Sequence, residues 1–251
     1  MKSEPDPWLA AIFGRPVFRI SILDADDPEC LLSLAQHEPN FSATSAFGYT
    51  KIPTQRTDQL WALTRLGFAI VDVNVIFERN VLPGPDWPTD AGTIVRAIQP
   101  PEHATVQEIA ASCFVYSRFH LDPQIPSHIA DRIKRDWVGA YVRRQRGERL
   151  WVAVREGNPV GFLAELRTMT GGHAVGVIDL MGVARNHQGH GIARSLIDCF
   201  IRNTVREVSR LRVGTQAANV PSIRLYEKCG FRVIETLYVL HAHIHNGKVQ
   251  R

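Results

Sequence analysis

The run Val183-Ala184-Arg185-Asn186-His187-Gln188-Gly189-His190-Gly191-Ile192-Ala193-Arg194 constrains this chain more than any other. An apolar strand with Leu180 and Val183 near its end feeds a short glycine-bearing loop. The loop opens a helix whose Ile192, Leu196, Ile197, Phe200, Ile201, Val205 and Val208 form one stripe at helical spacing. Small residues at 189, 191 and 193 let the backbone approach a ligand closely, and the first amides of a helix have no intrahelical acceptor. Such a start is an anion site, and a diphosphate is its natural guest. The strand-loop-helix pattern places the chain in the α/β class.

A second helix start follows about thirty residues later, at Asn219-Val220-Pro221-Ser222-Ile223-Arg224-Leu225-Tyr226-Glu227-Lys228-Cys229-Gly230-Phe231. Asn219 suits an N-cap and Pro221 the first turn. Gly230 is placed to end the helix, and Phe231 opens a new apolar strand. Ile223, Tyr226 and Cys229 recur at a spacing of three, which puts Tyr226 on a defined helix face.

Together the two blocks resemble the GNAT superfamily of N-acetyltransferases. Gln188-x-x-Gly191-x-Ala193 is similar to its Gln/Arg-x-x-Gly-x-Gly/Ala loop. The second block is similar to its Asn-x-x-(Ala/Ser)-x-x-x-Tyr-x-x-x-Gly-Phe helix, with Ser222 at the small position. The resemblance covers residues 93–245, which read β-α-α-β-β-β-α-β-α-β. It implies a fold of the α+β type, with a central mixed, splayed sheet flanked by helices, and acetyl-CoA as co-substrate.

Site roles follow from the same resemblance. Gln188, Gly189, His190, Gly191, Ile192, Ala193 and Arg194 would hold the diphosphate, mainly through backbone N–H groups. The strand through Met181, Gly182 and Val183 would part from the strand at 211–215, and the pantetheine arm would bond its free backbone. Asn219 and Ser222 would bind that arm. A backbone N–H in the gap would also polarise the thioester carbonyl. Tyr226 would be the general acid, since a phenol with a pKa near 10 is protonated at neutral pH and can donate to a departing thiolate. The competing role for Tyr226 is to pack its helix on the sheet.

Asp179 and Glu165 are the acidic candidates near the acceptor, as base or substrate contact. Asp179 lies among Val177, Ile178, Leu180 and Met181, where accepting a hydrogen bond or pairing with an arginine is the alternative. Arg118, Phe119 and His120 are expected to line the acceptor pocket, or else to pack a helix end. His241, His243 and His245 alternate and share one strand face. Strand histidines need no metal, and none is expected.

Residues 81–92 carry three prolines and two glycines and read as a linker. Before it stands a small N-terminal α/β lobe, residues 1–80, with strands at 18–22, 46–52 and 68–77 and helices at 28–36 and 57–66. This lobe is expected to carry no chemistry. After it stands the acetyltransferase domain, residues 93–251. There the pattern predicts a strand at 93–98, helices at 105–113 and 126–144, and a hairpin of 150–154 with 159–166.

Composition narrows the partners. With 45% hydrophobic and 22% charged residues the chain is globular rather than disordered. A net charge of +4 favours anionic partners, and phosphates on a cofactor and a substrate account for it. The basic residues are dispersed, and the cluster Arg143, Arg144, Arg146 and Arg149 is too short for a nucleic-acid-binding arm. No apolar run spans a bilayer and the N-terminus lacks a signal-peptide core, so no membrane partner and a cytoplasmic location are expected. Cys30, Cys113, Cys199 and Cys229 form no metal or disulfide pattern.

A narrower resemblance, carried by Ser117-Arg118-Phe119, Leu211-Arg212-Val213-Gly214-Thr215-Gln216 and Leu66-Gly67-Phe68, is to TDP-fucosamine acetyltransferases. It implies that the acceptor is the amino group of a nucleotide-linked (dTDP) 4-amino-6-deoxy sugar; related enzymes are often homodimers. Acetylation of a protein amino group or a small polyamine is the alternative, and a non-catalytic acyl-CoA-binding module is the rival from another class.

Overall fold

The structure is a computed structural model that describes residues 2–22, 44–81 and 92–250. The helix expected at 28–36 and nearly all of the linker lie outside the described residues. The strands are β1 (Lys2–Pro5), β2 (Val17–Ser21), β3 (Ser45–Pro53), β4 (Ala69–Asn80), β5 (Ile94–Ala97), β6 (Arg149–Arg155), β7 (Asn158–Thr170), β8 (His173–Val183), β9 (Arg210–Gln216), β10 (Arg232–His245) and β11 (Lys248–Gln250). The helices are α1 (Pro7–Phe13), α2 (Thr57–Arg65), α3 (His103–Ser112), α4 (Arg118–Leu121), α5 (Ser127–Val142), α6 (Ile192–Thr204) and α7 (Val220–Lys228). From residue 93 onward the predicted order holds, with the one-turn α4 and the terminal β11 added.

All these strands join one sheet, ordered β1-β2-β3-β10-β4-β9-β8-β7-β6-β5, with β11 also on β10. The N-terminal strands do not form a sheet of their own. β4 lies between β9 and β10, and β10 pairs β3 on its other edge. Fourteen residues long, β10 bridges the two regions the linker was expected to divide.

Alternation along the strands decides which side each residue faces. In β6, Leu150, Val152 and Val154 pack toward α3 and α5, while Trp151 and Ala153 pack toward α6. The predicted stripe on α6 is buried, with Leu196, Ile197 and Phe200 fully enclosed; each such side chain contributes about 1.5–3 kcal/mol. The β6–β7 hairpin turns at Glu156 (φ 49°) and Gly157 (φ 79°), a two-residue loop whose left-handed backbone matches the strand twist. No helix of the described residues is long and apolar enough to cross a membrane.

The feature that positions the site is in β8. It pairs β9 in parallel only from Val175 to Ile178, opposite Arg210 to Val213. On its other edge β8 pairs β7, with a bulge: Ile178 faces Glu165 and Leu180 faces Ala164, leaving Asp179 as the extra residue. A bulge bends a strand and sharpens its twist. Beyond Asp179, β8 and β9 part.

Candidate active site

The parting strands leave a row of unused backbone groups. Ala184 N–H donates to Val160 C=O at 2.9 Å, so it points to the β7 side. By strand alternation, Met181 and Val183 present their backbone to the gap. The Val183 carbonyl accepts from Gln188 Nε2 at 3.1 Å, so Gln188 ties the end of β8 to the following loop. Gly182 is required by packing: a Cβ there would meet Cys113 Sγ at 2.5 Å and the Phe162 ring at 2.9 Å.

The loop then enters α6 through two left-handed glycines, Gly189 (φ 83°) and Gly191 (φ 79°), the second being the N-cap. No side chain caps this helix. Among the described residues, nothing accepts from the amides of Gly189, His190, Gly191, Ile192 or Ala193. A Cβ at Gly189 or Gly191 would meet nothing within 4 Å. Free donors, a helix dipole and open space together fit a diphosphate.

On the other side of the gap stands α7. Asn219 caps it, its Oδ1 accepting from Ser222 N at 3.3 Å, which leaves the Asn219 amide N–H groups as donors. Tyr226 is 5% exposed, packed between Phe77 and Phe231. Burial, and then Cys229 nearby, raise its pKa well above the ordinary phenol value, which keeps the proton on. Its hydroxyl has no hydrogen-bond partner among the described residues, and the residue lines the same cleft as the loop and the gap.

That cleft, of about 990 Å³, runs from Gly189 and Arg194 past Met181, Thr215, Asn219 and Tyr226 to Arg118 and Lys134. It is lined by all but three of the residues singled out from sequence for it: His190, which is exposed in the loop, His120, whose ring nitrogens bond Ser117 Oγ (2.6 Å) and Asp131 Oδ1 (3.1 Å), and Glu165. Glu165 belongs to the core. Fully buried beneath α6, it accepts from Trp151 Nε1 (2.9 Å), Arg149 (3.3 Å) and the Thr204 hydroxyl (3.3 Å). It braces the core and touches no acceptor space.

Asp179 borders the cleft, but its oxygens are occupied. Oδ2 accepts from Trp137 Nε1 (2.8 Å), the Tyr141 hydroxyl (2.7 Å) and Arg146 Nε (2.7 Å), and Oδ1 from Arg146 Nη2 (2.9 Å). Burial alone would raise its pKa; Arg146, Trp137 and Tyr141 outweigh it and hold the carboxyl below the usual range. A carboxylate so stabilised is a poor base. Its role is the alternative one, pairing with an arginine, and it anchors α5 to the bulge.

The far end of the cleft is built on Arg118 of α4. Its guanidinium lies over the rings of Tyr49 (4.1 Å) and Phe119 (4.3 Å), and Nη1 donates to His241 Nε2 at 3.3 Å. His241 and His243 donate from their other nitrogens to Asp122 Oδ2 at 2.7 and 2.8 Å, and His243 accepts from Arg15 at 3.0 Å. Burial pushes His241 down to about 4, so it is neutral. Phe119 itself is enclosed, 1% exposed, and supports Arg118 from behind. Ligand atoms of Asp122, His241 and His243 lie within 4.8 Å of one another. Guanidinium groups already hold the outward nitrogens, which sets this cluster up to brace arginines rather than to grip a cation.

The model of the acetyltransferase (GNAT) family matches residues 104–231. The chain belongs to that family. GNAT acetyltransferases take acetyl-CoA and an amine acceptor. It is 28% identical over 144 residues to the spore coat polysaccharide biosynthesis protein SpsD of Bacillus subtilis, a match covering 57% of this chain and 48% of that protein. It is 31% identical over 116 residues to N-acetylaspartate synthetase of Xenopus tropicalis, covering 45% and 39% respectively. The chain thus spans about half, or less, of the length of these curated relatives. Among solved structures, a GCN5-related N-acetyltransferase from Sphaerobacter thermophilus superposes with a TM-score of 0.54 at 19% identity, covering 85% of this chain and 64% of that one. A tandem GNAT protein of the clavulanic acid pathway gives 0.55 at 16%, covering 92% and 76%. At such identities these neighbours speak to the fold alone.

Among the cleft residues not singled out from sequence are Lys51 on β3, Asn74 on β4 and Lys134 on α5. Two belong to the region expected to carry no chemistry. The available signals were Asp72 and Asn74 on one face of an otherwise apolar strand, and Lys134 midway between Ala130 and Val138 on a buried helix face.

Proposed function

We propose that the protein transfers the acetyl group of acetyl-CoA to the amino group of a nucleotide-linked amino-deoxy sugar, by direct attack with both substrates bound. One observation carries this reading: a single cleft has unpaired amides at one end, a gap between parted strands in its middle, and a protonated phenol without a protein partner opening onto that gap. The amides of residues 189–193 bind the coenzyme's diphosphate. Met181 and Val183 bond the extended arm as a neighbouring strand would, and an N–H there polarises the carbonyl beside it. The Asn219 amide holds the arm from the α7 side. Tyr226 donates its proton to the departing sulfur. The acceptor's ammonium loses its proton to water, since the one carboxylate on the described cleft wall, Asp179, is committed to Arg146.

The sugar acceptor is supported by the likeness to a spore coat polysaccharide biosynthesis protein and by the Ser117-Arg118-Phe119 and Leu211–Gln216 segments. A second reading, a carboxylate-bearing amine, is favoured by the likeness to N-acetylaspartate synthetase and by the basic side chains at the acceptor end.

The test is thiol release from acetyl-CoA with dTDP-4-amino-4,6-dideoxygalactose and a panel of amino acids, polyamines and peptides. Tyr226→Phe should lower kcat by about 10²–10⁴-fold on the best acceptor while leaving the acetyl-CoA KM within about twofold. Unchanged turnover removes Tyr226 as the acid. CoA binding without release on any amine favours a non-catalytic acyl-CoA-binding module.

A further inference from the structure

The acceptor end of the cleft holds more positive charge than the protein neutralises. Lys51, Arg118 and Lys134 come from β3, α4 and α5 and line the same cavity. Among the described residues, none of the three has a carboxylate within ion-pair distance. Lys134 is the sharpest case. It is 7% exposed and makes no hydrogen bond, and its ammonium rests 4.9 and 5.2 Å from the ring centres of Phe114 and Trp137. Burial first, and Arg118 next, push it down to about 8. Four carboxylates act on these cations without forming an ion pair: Asp72 and Glu235 on Lys51, Asp6 on Arg118 and Asp179 on Lys134. Asp179 is bonded to Arg146. Asp72 is buried, with one oxygen lacking any partner, and burial raises it to about 6.

An unpaired buried ammonium is costly to a fold unless something else is bound there. The other two cations are fixed as a binding site requires. Arg118 is held between two rings and by His241. Lys51 Nζ donates to Asn74 Oδ1 at 2.9 Å, and Asn74 in turn donates to Thr215 C=O at 2.8 Å. Two lysines and a planar guanidinium around one cavity suit an oxyanion.

We infer that Lys51, Arg118 and Lys134 form an oxyanion subsite that takes a phosphate or carboxylate group of the acceptor and so selects anionic amines. This rests on the acetyltransferase reading of the cleft and names its acceptor class. The subsite draws one of its three cations, Lys51, from before the linker, and so makes the N-terminal strands part of substrate recognition.

The test is calorimetric titration of the full-length protein, saturated with CoA so that the helix start at 189–193 is filled, with inorganic phosphate and separately with succinate. Saturable binding of at least one anion is expected, weakened tenfold or more in Lys134→Met and several-fold in Lys51→Met. Lys134→Met should keep or raise Tm, because it replaces an unpaired charge with an apolar chain of similar length; a lysine kept only for packing would show no link between Tm and anion binding. Phosphate alone assigns a nucleotide phosphate to the subsite, and succinate alone assigns an acceptor carboxylate. No binding of either anion, or equal binding in both variants, overturns the inference. If the protein fails to take up CoA, the acetyltransferase reading falls, while the same titrations on wild type and variants still decide the subsite.

Discussion

The two ends of the cleft offer different physics to the ligands proposed for them. The end proposed for the coenzyme offers backbone: amides at 189–193 and the gap-facing groups of Met181 and Val183, all within fifteen residues of one another. The acceptor end uses side-chain charge from Lys51, Arg118 and Lys134, gathered from three distant elements. Backbone donors are fixed by the fold and indifferent to the side chains around them, so they suit an unchanging ligand. Side-chain charges can be exchanged without disturbing the sheet, so they suit a ligand that differs between relatives. The contrast predicts that coenzyme binding fails when backbone conformation is perturbed, and acceptor binding fails when charge is.

The coenzyme end is tested most directly at Gly191. Its φ of 79° costs an L-residue about 1–2 kcal/mol, and an added methyl would project into open space rather than into protein. Gly191→Ala should therefore leave the fold intact while weakening acetyl-CoA binding by about tenfold, from strain of roughly 1.4 kcal/mol passed to the helix start. Acceptor KM should move less than twofold. Equilibrium binding of CoA and steady-state kinetics separate these outcomes; unaltered CoA affinity would detach the helix start from the diphosphate.

A smaller effect, on stability rather than rate, is expected at the bulge. Asp179→Asn removes the charge that gathers Arg146, Trp137 and Tyr141 onto β8. Because Arg146 is 38% exposed, solvent screens part of the pair. A loss of about 1–3 kcal/mol follows, or a Tm lower by roughly 3–10 °C. The folded pKa of Asp179 lies below its unfolded value. Its stabilisation is thus complete above the ordinary carboxylate range and disappears as pH falls through the folded value. Melting curves of wild type and variant should begin to converge as pH falls below about 4, where the unfolded carboxyl protonates, and meet only below the lower folded value. Turnover per folded molecule should hold within about threefold; a hundredfold fall would restore Asp179 as the base.

Sequence reading succeeded where a function is written in one short stretch and faltered where the fold assembles it. The loop at 188–194 and the helix from Asn219 to Tyr226 each carry their own caps, glycines and periodicity, so their local structure could be derived before any contact was known. The acceptor end depends on β10 crossing between β3 and β4, a long-range pairing that no local pattern encodes. The same pairing puts strands from before and after the expected linker into one sheet. Glu165 and Asp179 show the same dependence on distant residues. An acidic residue in an apolar strand must have partners, but whether those are substrate or arginine and tryptophan depends on residues 14 to 42 positions away in the chain.

Glu165 therefore provides the mildest test, and the one that most cleanly divides core from cleft. Its carboxylate accepts at both oxygens, from Trp151 on one side and from Arg149 and Thr204 on the other. In Glu165→Gln, one orientation of the amide aims its N–H groups at the indole donor, and the flipped orientation aims them at the guanidinium. Either way a buried donor faces a donor, at a cost of about 1–3 kcal/mol. Since α6 packs over this point, the loss should appear as a lower Tm, with kcat and the KM of both substrates within about twofold of wild type. A selective rise in acceptor KM, without a change in Tm, would mean that the acceptor reaches beneath α6, and the charge-based end of the cleft would then have to be redrawn to include Glu165.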